Sequence, residues 1–311
     1  MAEFSLVFPL AERERLEPHL PPLSVDTRDS GEDISNRPFV TLTFATSLDS
    51  ALSLGPGIRT ALSGPQSKAM THYLRSRHDA ICVGVGTAIA DDPGLNCRLA
   101  AEYPNLETSP NASTAGVGAL LGLASLPTGE SMSKETPHLY TKHQPRPIVI
   151  DPKLRWNFTS ESKVMKLARA GRGLAPYIIT SVQHHPREQE KLLEELGGKF
   201  ITLGETGFKE SNRFNWSVIL AVIQDQGFQS LMIEGGGEVI NSLLSQDNAG
   251  LIDSVIVTVA PTWLGQGSVF VAPPRKTGPD GKPKAVARLS DTTWIPLGED
   301  VVLCGKIAPQ G

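Results

Sequence analysis

The stretch "SLMIEGGGEVINSLL", Ser230 to Leu244, decides the fold class. Its first residues are apolar and predict a buried strand, and the apolar spacing after the glycines predicts a helix. A strand that turns directly into a helix is a repeating unit of α/β proteins. The first N–H groups of a helix are unpaired and its dipole favours negative charge, so this turn predicts an anion site. The alternative is a tight strand-to-helix turn that binds nothing.

Strands and helices alternate on both sides of this turn. Strands are predicted within 39–45, 79–86, 148–150, 177–181, 230–234, 251–267 and 292–307. Helices are predicted from Pro65 onward and within 185–198, 216–227 and 237–246. Because the strands read as apolar runs, they suit a sheet that is covered on both faces. The pattern predicts a single α/β domain with a mostly parallel central sheet flanked by helices.

Two segments depart from this alternation. Residues 1–36 mix a short apolar patch with Pro, Asp and Arg, and they predict an irregular N-terminal arm. Residues 100–144 are rich in Ser, Thr and Gly and almost free of aromatic residues, which predicts a surface insert. The domain is therefore expected to extend over residues 37–307, and we assign no function to the insert.

The overall composition excludes several classes of protein. A net charge of −4 over 311 residues gives no reason to expect a nucleic-acid partner or binding to an acidic membrane. No window approaches the roughly 18 apolar residues of a membrane span. Three cysteines without CxxC spacing predict neither a disulfide framework nor a zinc site, and no metal is expected. The expectation is a soluble, cytoplasmic protein.

Polar residues follow two other predicted strands. Thr87 and Asp91 come four residues apart after an apolar run, and Arg98 follows. A hydroxyl and a carboxylate suit a ribose or an amide, whereas arginine offers a two-pronged donor for phosphate. The run "ADDPG" is equally typical of a plain turn. The segment "TSLDS", Thr46 to Ser50, follows the first strand and has the same two interpretations.

Three charged residues near these segments also have two interpretations each. Arg75, near the end of a predicted helix, is ordinarily solvated or paired with the helix dipole. Glu238 lies in the first turn of a helix, where an acid is favoured without any function. Glu234 ends a strand, where ligands commonly bind in open α/β sheets, but capping or an ion pair would also explain it.

Taken in order, these motifs resemble the reductase family of riboflavin biosynthesis. The segments are "TSLDS", "LRSRHDAICVGVGTAIADDPGLNCR", "RPIVIDP", "LMIEGGGEVINSLL" and "DSVIVTVAPTWLGQG". The resemblance runs from Arg37 to Ile307, interrupted by the 100–144 insert. It is to the stand-alone fungal and archaeal form, because the zinc deaminase motif of the fused plant and bacterial forms is absent.

The resemblance implies a dihydrofolate-reductase-like fold, a homodimer, and NADPH, or alternatively NADH, as hydride donor. The cofactor positions carried over are Thr87, Asp91, Ile150, Gly235, Gly236, Gly237, Glu238 and Val239. The substrate positions carried over are Arg75, Leu95, Arg98 and Glu234, and the two arginines suit a ribose 5′-phosphate. Asn96 and Cys97 replace the commoner residues of the family beside Arg98, so the fine contacts to the substrate stay open.

The implied reaction reduces the ribosylamino side chain of 2,5-diamino-6-ribosylamino-4(3H)-pyrimidinone 5′-phosphate to the ribitylamino product. Hydride would reach C1′ of the ring-opened imine, and a proton donor is also needed. Glu234 and Asp49 are the candidate donors, and water is the third. The alternative functions are a reductase of dihydrofolate or another pteridine, and a non-catalytic module that binds NADPH.

Overall fold

The computed structural model describes residues 6–22, 37–100, 143–203, 215–275, 277–278 and 281–308. Most of the predicted 100–144 insert, and residues 23–36 of the predicted arm, lie outside these described residues. Within them the longest helix has 12 residues. None of the described helices combines the length and the apolar character that crossing a bilayer requires.

Nine of the eleven described strands form one sheet at the centre of the domain. The strands are β1 Phe39–Thr46, β2 Ala51–Ser53, β3 Ala80–Gly84, β4 Arg146–Ile150, β5 Tyr177–Thr180, β6 Lys199–Thr202, β7 Ser230–Ile233, β8 Ser254–Val259, β9 Val269–Phe270, β10 Leu289–Leu297 and β11 Asp300–Ile307. The order across the sheet is β10-β11-β8-β1-β7-β3-β4-β5-β6. All neighbours from β8 to β6 are parallel, and the β10–β11 hairpin adds an antiparallel edge. Strands β2 and β9 form a separate small ribbon.

The described residues include seven helices. These are α1 Leu10–Leu16, α2 Pro65–Ser76, α3 Val85–Asp91, α4 Lys163–Arg169, α5 Arg187–Glu195, α6 Trp216–Asp225 and α7 Gly237–Leu243. The apolar sides of α6 and α7 pack on one face of the sheet. The apolar side of α2 packs on the opposite face, together with part of the N-terminal segment. The mostly parallel sheet flanked by helices is confirmed.

Strand β7 shows why the central strands have no polar face. Leu231 and Ile233 belong to the core cluster under α6 and α7, whereas Met232 between them belongs to the cluster under α2. All three side chains are fully buried. Since successive side chains of a strand point to opposite faces, a strand that is covered twice must be apolar throughout.

Helix α3 differs from the sequence prediction, which placed a strand over 79–86 and offered a plain turn for "ADDPG". The chain turns into helix at Val85 and continues to Asp91. Val85 and Ala88 pack into a buried cluster with Ile81 and Val83. The next residue, Asp92, has left-handed backbone angles. Tertiary packing of Val85 and Ala88 therefore stabilises a short helix where the sequence indicated the end of a strand and a turn.

The N-terminal segment also differs from its prediction. Residues 1–36 were expected to be irregular, but Leu10–Leu16 form α1. Phe8 and Leu16 are almost completely buried in the cluster that contains α2. Glu17 accepts hydrogen bonds from the Tyr73 hydroxyl and from the Arg77 guanidinium, both of which belong to or adjoin α2. The described part of this segment is therefore packed on the domain.

Candidate active site

The carboxyl ends of β1, β7, β3 and β4 lie at one edge of the sheet, because these four strands are parallel and pair directly or through a shared neighbour. Residues 47–50 follow β1, and residues 234–237 follow β7. Helix α3 follows β3, and Asp151 follows β4. In open α/β sheets, ligands bind at this edge. The predicted motifs therefore meet in one place.

The three glycines after β7 let the backbone pass where side chains would not fit. A Cβ on Gly235 would lie 2.3 Å from Cγ1 of Val239, and one on Gly237 would lie 2.6 Å from Cγ1 of Val269. A Cβ on Gly236 would lie 3.0 Å from Oγ1 of Thr87. Gly235 and Gly237 are thus required by packing. Gly236 is different, because it brings the backbone of the turn against the Thr87 hydroxyl.

Helix α3 places the predicted Thr87 and Asp91 on one side of a helix, since residues four apart share a face. Burial raises the pKa of the Asp91 carboxyl, and the charge of Arg59 opposes this shift. Glu238 lies exposed in the first turn of α7, and Val239 is buried. Among the described residues, no side chain caps the N-terminus of α7. The Thr87 hydroxyl therefore lies beside the first backbone N–H groups of α7.

Arg75 and Glu234 form a two-pronged ion pair. Nε of Arg75 donates to Oε1 of Glu234 over 2.8 Å, and Nη2 donates to Oε2 over 2.7 Å. The side chains are 13% and 19% exposed. Nη1 also donates to the backbone oxygen of Asn96 over 3.1 Å. Burial acts to lower the pKa of Arg75, but the Glu234 carboxylate more than offsets it and the pKa is raised.

Arg98 has a different kind of partner. Its Nε and Nη2 atoms lie 3.2 and 3.0 Å from Nε2 of His72, a buried residue of α2. Its backbone N–H donates to Nδ1 of the same ring over 3.0 Å. His72 and Arg75 lie three residues apart on α2, so they share a helix face. The two arginines predicted to bind phosphate are therefore held beside each other, one on a carboxylate and one on an imidazole.

Asp49 joins two loops at the same edge of the sheet. Its Oδ1 accepts a hydrogen bond from Ser47 Oγ over 2.5 Å and from the Leu264 N–H over 3.1 Å. Its Oδ2 accepts from the Gly265 N–H over 2.8 Å. These hydrogen bonds, that of Ser47 foremost, lower the pKa of Asp49 to about 2. A lower pKa leaves less of the protonated form, so these hydrogen bonds disfavour proton donation by Asp49, and its catalytic role stays a prediction.

Two predicted positions present no side chain to a ligand. Leu95 is 2% exposed and packs in the cluster that contains Val83 and Met165. Its backbone has a φ of 50°, in the left-handed region. Ile150, the last residue of β4, is fully buried. Any contact of Leu95 or Ile150 with a ligand would therefore come from the backbone.

Sequence reasoning assigned no contact to three residues of this site. The backbone N–H of Arg98 donates to His72, and Asn96 Nδ2 donates to the Arg172 oxygen over 2.8 Å. Ser47 Oγ donates to Asp49. Ser47 and Asn96 lie in motifs that the sequence analysis singled out, whereas His72 gave no signal. No cluster of three or more His, Cys, Asp or Glu residues that would suit a metal occurs in the described part of the chain.

Comparisons with known proteins agree with this geometry. The family model described as the RibD C-terminal domain matches residues 38–303. The 2,5-diamino-6-ribosylamino-4(3H)-pyrimidinone 5′-phosphate reductase of Debaryomyces hansenii is 35% identical to this chain, over 88% of it and 91% of that protein. The chain belongs to the riboflavin-biosynthesis reductase family. It is thus an oxidoreductase of that pathway, as the sequence resemblance indicated.

Solved structures of this reductase family have the same fold. The riboflavin biosynthesis reductase Rib7 of Saccharomyces cerevisiae superposes with a TM-score of 0.64 at 26% identity, covering 96% of this chain and 99% of that one. RibD of Acinetobacter baumannii gives 0.59 at 20% identity, with 88% of this chain and 59% of that one covered. The fold of this reductase is therefore the dihydrofolate-reductase-like α/β fold of those enzymes, as predicted.

Proposed function

We propose that this reductase converts 2,5-diamino-6-ribosylamino-4(3H)-pyrimidinone 5′-phosphate to the ribitylamino product, with NADPH as donor. The observation that carries the proposal is the meeting of Thr87 with the glycine turn at Gly236. The Arg75–Glu234 pair and Arg98 adjoin this edge of the sheet in a chain whose relatives bear that reductase name.

The junction of α3 with the start of α7 suits the polar groups of a dinucleotide. Thr87 lies beside the glycine turn, since a Cβ at Gly236 would approach Thr87 Oγ1 to 3.0 Å. Thr87 and Asp91 would bind polar groups of the cofactor, and N–H groups from Gly237 to Val239 would bind its pyrophosphate. When bound, NADPH supplies the hydride that reduces C1′ of the ring-opened substrate. NADH, which lacks only the 2′-phosphate, is the alternative donor.

Arg75 and Arg98 have different roles in the proposed binding of the substrate. Arg75 already contacts both oxygens of Glu234, so its charge is largely compensated within the protein. The ribose 5′-phosphate is assigned to Arg98, whose guanidinium is a two-pronged donor that suits phosphate. The ion pair of Glu234 and Arg75 holds both side chains in place and would orient the pyrimidine or the opened ribose chain.

The proton that balances hydride transfer is assigned to water. Both oxygens of Glu234 accept hydrogen bonds from Arg75, so this carboxylate is set to accept rather than to donate. Hydrogen bonds lower the pKa of Asp49 to about 2, so an even smaller fraction of it is protonated at neutral pH than of an ordinary carboxyl. A water molecule held by Glu234 would protonate the imine nitrogen as hydride adds to C1′, and the hydroxide left behind would take up a proton from the solvent.

The decisive experiment follows the loss of NADPH absorbance with this ribosylamine phosphate, and separately with dihydrofolate. We expect oxidation with the first compound and none with the second. Oxidation with dihydrofolate alone would instead support the pteridine reductase. Binding of NADPH without its oxidation in the presence of either compound would support the non-catalytic module. Repeating the assay with NADH gives the cofactor preference from the ratio of the two kcat/KM values.

We also propose that the reductase is a cytoplasmic homodimer. Its three cysteines, Cys82, Cys97 and Cys304, are buried as free thiols, which supports a reducing compartment. The homodimer rests on the family resemblance. Light scattering of the purified chain tests it, and a mass that stays that of one chain at micromolar concentration contradicts it.

A further inference from the structure

The N-terminal segment, residues 6–22, pairs with the stretch of chain that carries Arg98. Leu6 and Leu99 form a parallel bridge. In this bridge the Leu6 N–H donates to the Arg98 carbonyl over 3.0 Å, and the Ala100 N–H donates to the Leu6 carbonyl over 2.9 Å. The two hydrogen bonds flank Leu99, so they fix the direction of the backbone directly after Arg98.

The same segment also holds α2, the helix that carries Arg75. Tyr73 of α2 and Arg77, which directly follows the helix, lie four residues apart and share a face. Glu17 accepts a hydrogen bond from the Tyr73 hydroxyl, and it accepts from Nε and Nη2 of Arg77 over 3.0 and 2.8 Å. The Phe8 ring stacks on the Tyr73 ring with the centroids 5.4 Å apart. These contacts fix the rotation of α2 about its own axis, and with it the direction in which Arg75 points.

The ion pair of Glu17 with Arg77 is partly shielded from water, because the two side chains are 35% and 14% exposed. Burial acts to raise the pKa of the Glu17 carboxyl, but hydrogen bonds from Arg77 and Tyr73 more than offset it and the pKa is lowered. The carboxylate is therefore the form that holds α2. An amide at this position would lose the charge and one of the two acceptor oxygens.

The apolar residues of the N-terminal segment pack on one face of the sheet. Phe8, Leu16 and Leu20 belong to the buried cluster that contains α2. Val239 and Ile240 of α7 belong to the cluster on the opposite face. A change in the N-terminal segment should therefore affect the arginines of the site and leave the glycine turn, where the cofactor is proposed to bind, as it is.

We propose that Leu6 and Glu17 are positioning residues that hold Arg98 and Arg75 at the spacing that the substrate requires. Leu6 fixes the backbone at Arg98, and Glu17 fixes the helix that carries Arg75. Because the two arginines come from separate elements of the chain, their relative position decides whether one substrate molecule can contact both. This inference rests on the proposed function, since it requires that Arg75 and Arg98 bind the substrate.

The first test uses proline to remove a single N–H group. Leu6→Pro removes the donor that bonds the Arg98 carbonyl but keeps the carbonyl that accepts from Ala100. We expect KM for the ribosylamine phosphate to rise about fivefold, with kcat and the KM for NADPH changed less than about twofold. Val7→Pro is the matched control, because Val7 is 72% exposed and the Leu6 N–H stays in place. Its kinetics should match those of the wild type.

The second test removes a charge. Glu17→Gln weakens the hold on Tyr73 and Arg77, and we expect the KM for the ribosylamine phosphate to rise about threefold with the KM for NADPH unchanged. Glu12→Gln is the matched control, because Glu12 is 28% exposed and pairs with Arg15 within α1. It should leave both KM values unchanged. Should Leu6→Pro not show a cooperative urea unfolding transition, the Glu17 and Glu12 variants carry the comparison.

A double variant separates positioning from general damage. If Leu6 acts through Arg98, adding Leu6→Pro to Arg98→Ala raises the KM for the ribosylamine phosphate no further. Additive losses in the double variant, equal rises of the two KM values, or wild-type kinetics of Glu17→Gln would overturn the inference. Wild-type kinetics of Arg98→Ala would overturn it as well, since Arg98 would then not bind the substrate. Failure of the wild-type chain to oxidise NADPH would instead overturn the proposed function.

Discussion

Glu234 is the residue at which the functional and structural interpretations of the sequence meet. It leaves β7 with its backbone N–H bonded to the Cys82 carbonyl over 2.9 Å, so it is anchored to β3. Its carboxylate is then held by Arg75 from α2. The ion pair considered as the alternative to substrate binding therefore exists. The ion pair also lies at the edge of the sheet where the substrate would bind, so the two interpretations are compatible.

Replacing Glu234 by glutamine tests this dual role. The change keeps the shape but leaves the buried Arg75 charge without its counter-charge. We expect kcat/KM for the ribosylamine phosphate to fall about tenfold or more, while the KM for NADPH changes little. Steady-state kinetics with each substrate varied in turn measure both quantities.

The control for this variant is Glu195→Gln, which breaks an ion pair with Lys191 on the exposed side of α5. Such a surface pair contributes little, so its kinetics should match those of the wild type. If Glu234→Gln also matched the wild type in turnover and substrate affinity, Glu234 would have no place in the site.

At the scale of elements, the junction of β7 and α7 depends on two separate requirements. Gly235 and Gly237 are needed because Val239 and Val269 occupy the space of their missing side chains. Gly84, at the end of β3, is needed for the same reason, since its Cβ would lie 2.9 Å from Val239. The side chain of Val239 thus locks α7 onto both strands. The glycine turn therefore serves packing first, and Gly236 is the glycine that borders Thr87.

Gly235→Ala is therefore expected to destabilise the fold and displace α7. Overpacking of this kind costs about 1–3 kcal/mol. We expect a lower midpoint in urea unfolding and a higher KM for NADPH. Gly250→Ala is the matched control, because an added Cβ there meets no described atom within 4 Å. A Gly235→Ala variant as stable as the Gly250→Ala variant would show that Val239 simply moves aside.

The elements differ in how well the sequence predicted them. Helix α2 begins at Pro65 as expected, and strands β1, β4, β5, β7 and β8 lie where apolar runs indicated. Helices α1, α3 and α4 were not predicted, since these short segments depend on packing rather than on their own sequence. The pairing of Arg75 with Glu234 spans 159 residues. No local pattern predicts such a contact, and a lone histidine such as His72 gives no signal.

At the scale of the whole molecule, buried histidines link stability to pH. Burial lowers the pKa of His78 to about 4 and that of His72 to about 2. In the unfolded chain both groups take up a proton near their ordinary pKa of about 6.5. Between that value and the folded-state pKa the unfolded state binds more protons, so stability falls as the pH decreases.

We expect the free energy of unfolding to be lower at pH 5.5 than at pH 7.5 by about 1 kcal/mol for each of these two histidines. Carboxyl groups titrate mostly below this window, so they contribute little to the difference. Urea unfolding at the two pH values measures it. The His78→Gln variant should lose about 1 kcal/mol less than the wild type over the same interval. Equal stability of the wild type at both pH values would contradict the assignment of neutral, buried rings.

The position of β1 has a consequence for how the chain is made. Leu42 in the middle of β1 pairs with Ile233 on one side and with Val255 on the other. During synthesis the ribosome releases β1 early and both of its neighbours late. The apolar β1 therefore has no partner strand in this sheet until most of the chain has emerged. Nascent chains that are arrested before residue 230 should bind chaperones. Reductase activity should be detected only after β8 has been synthesised.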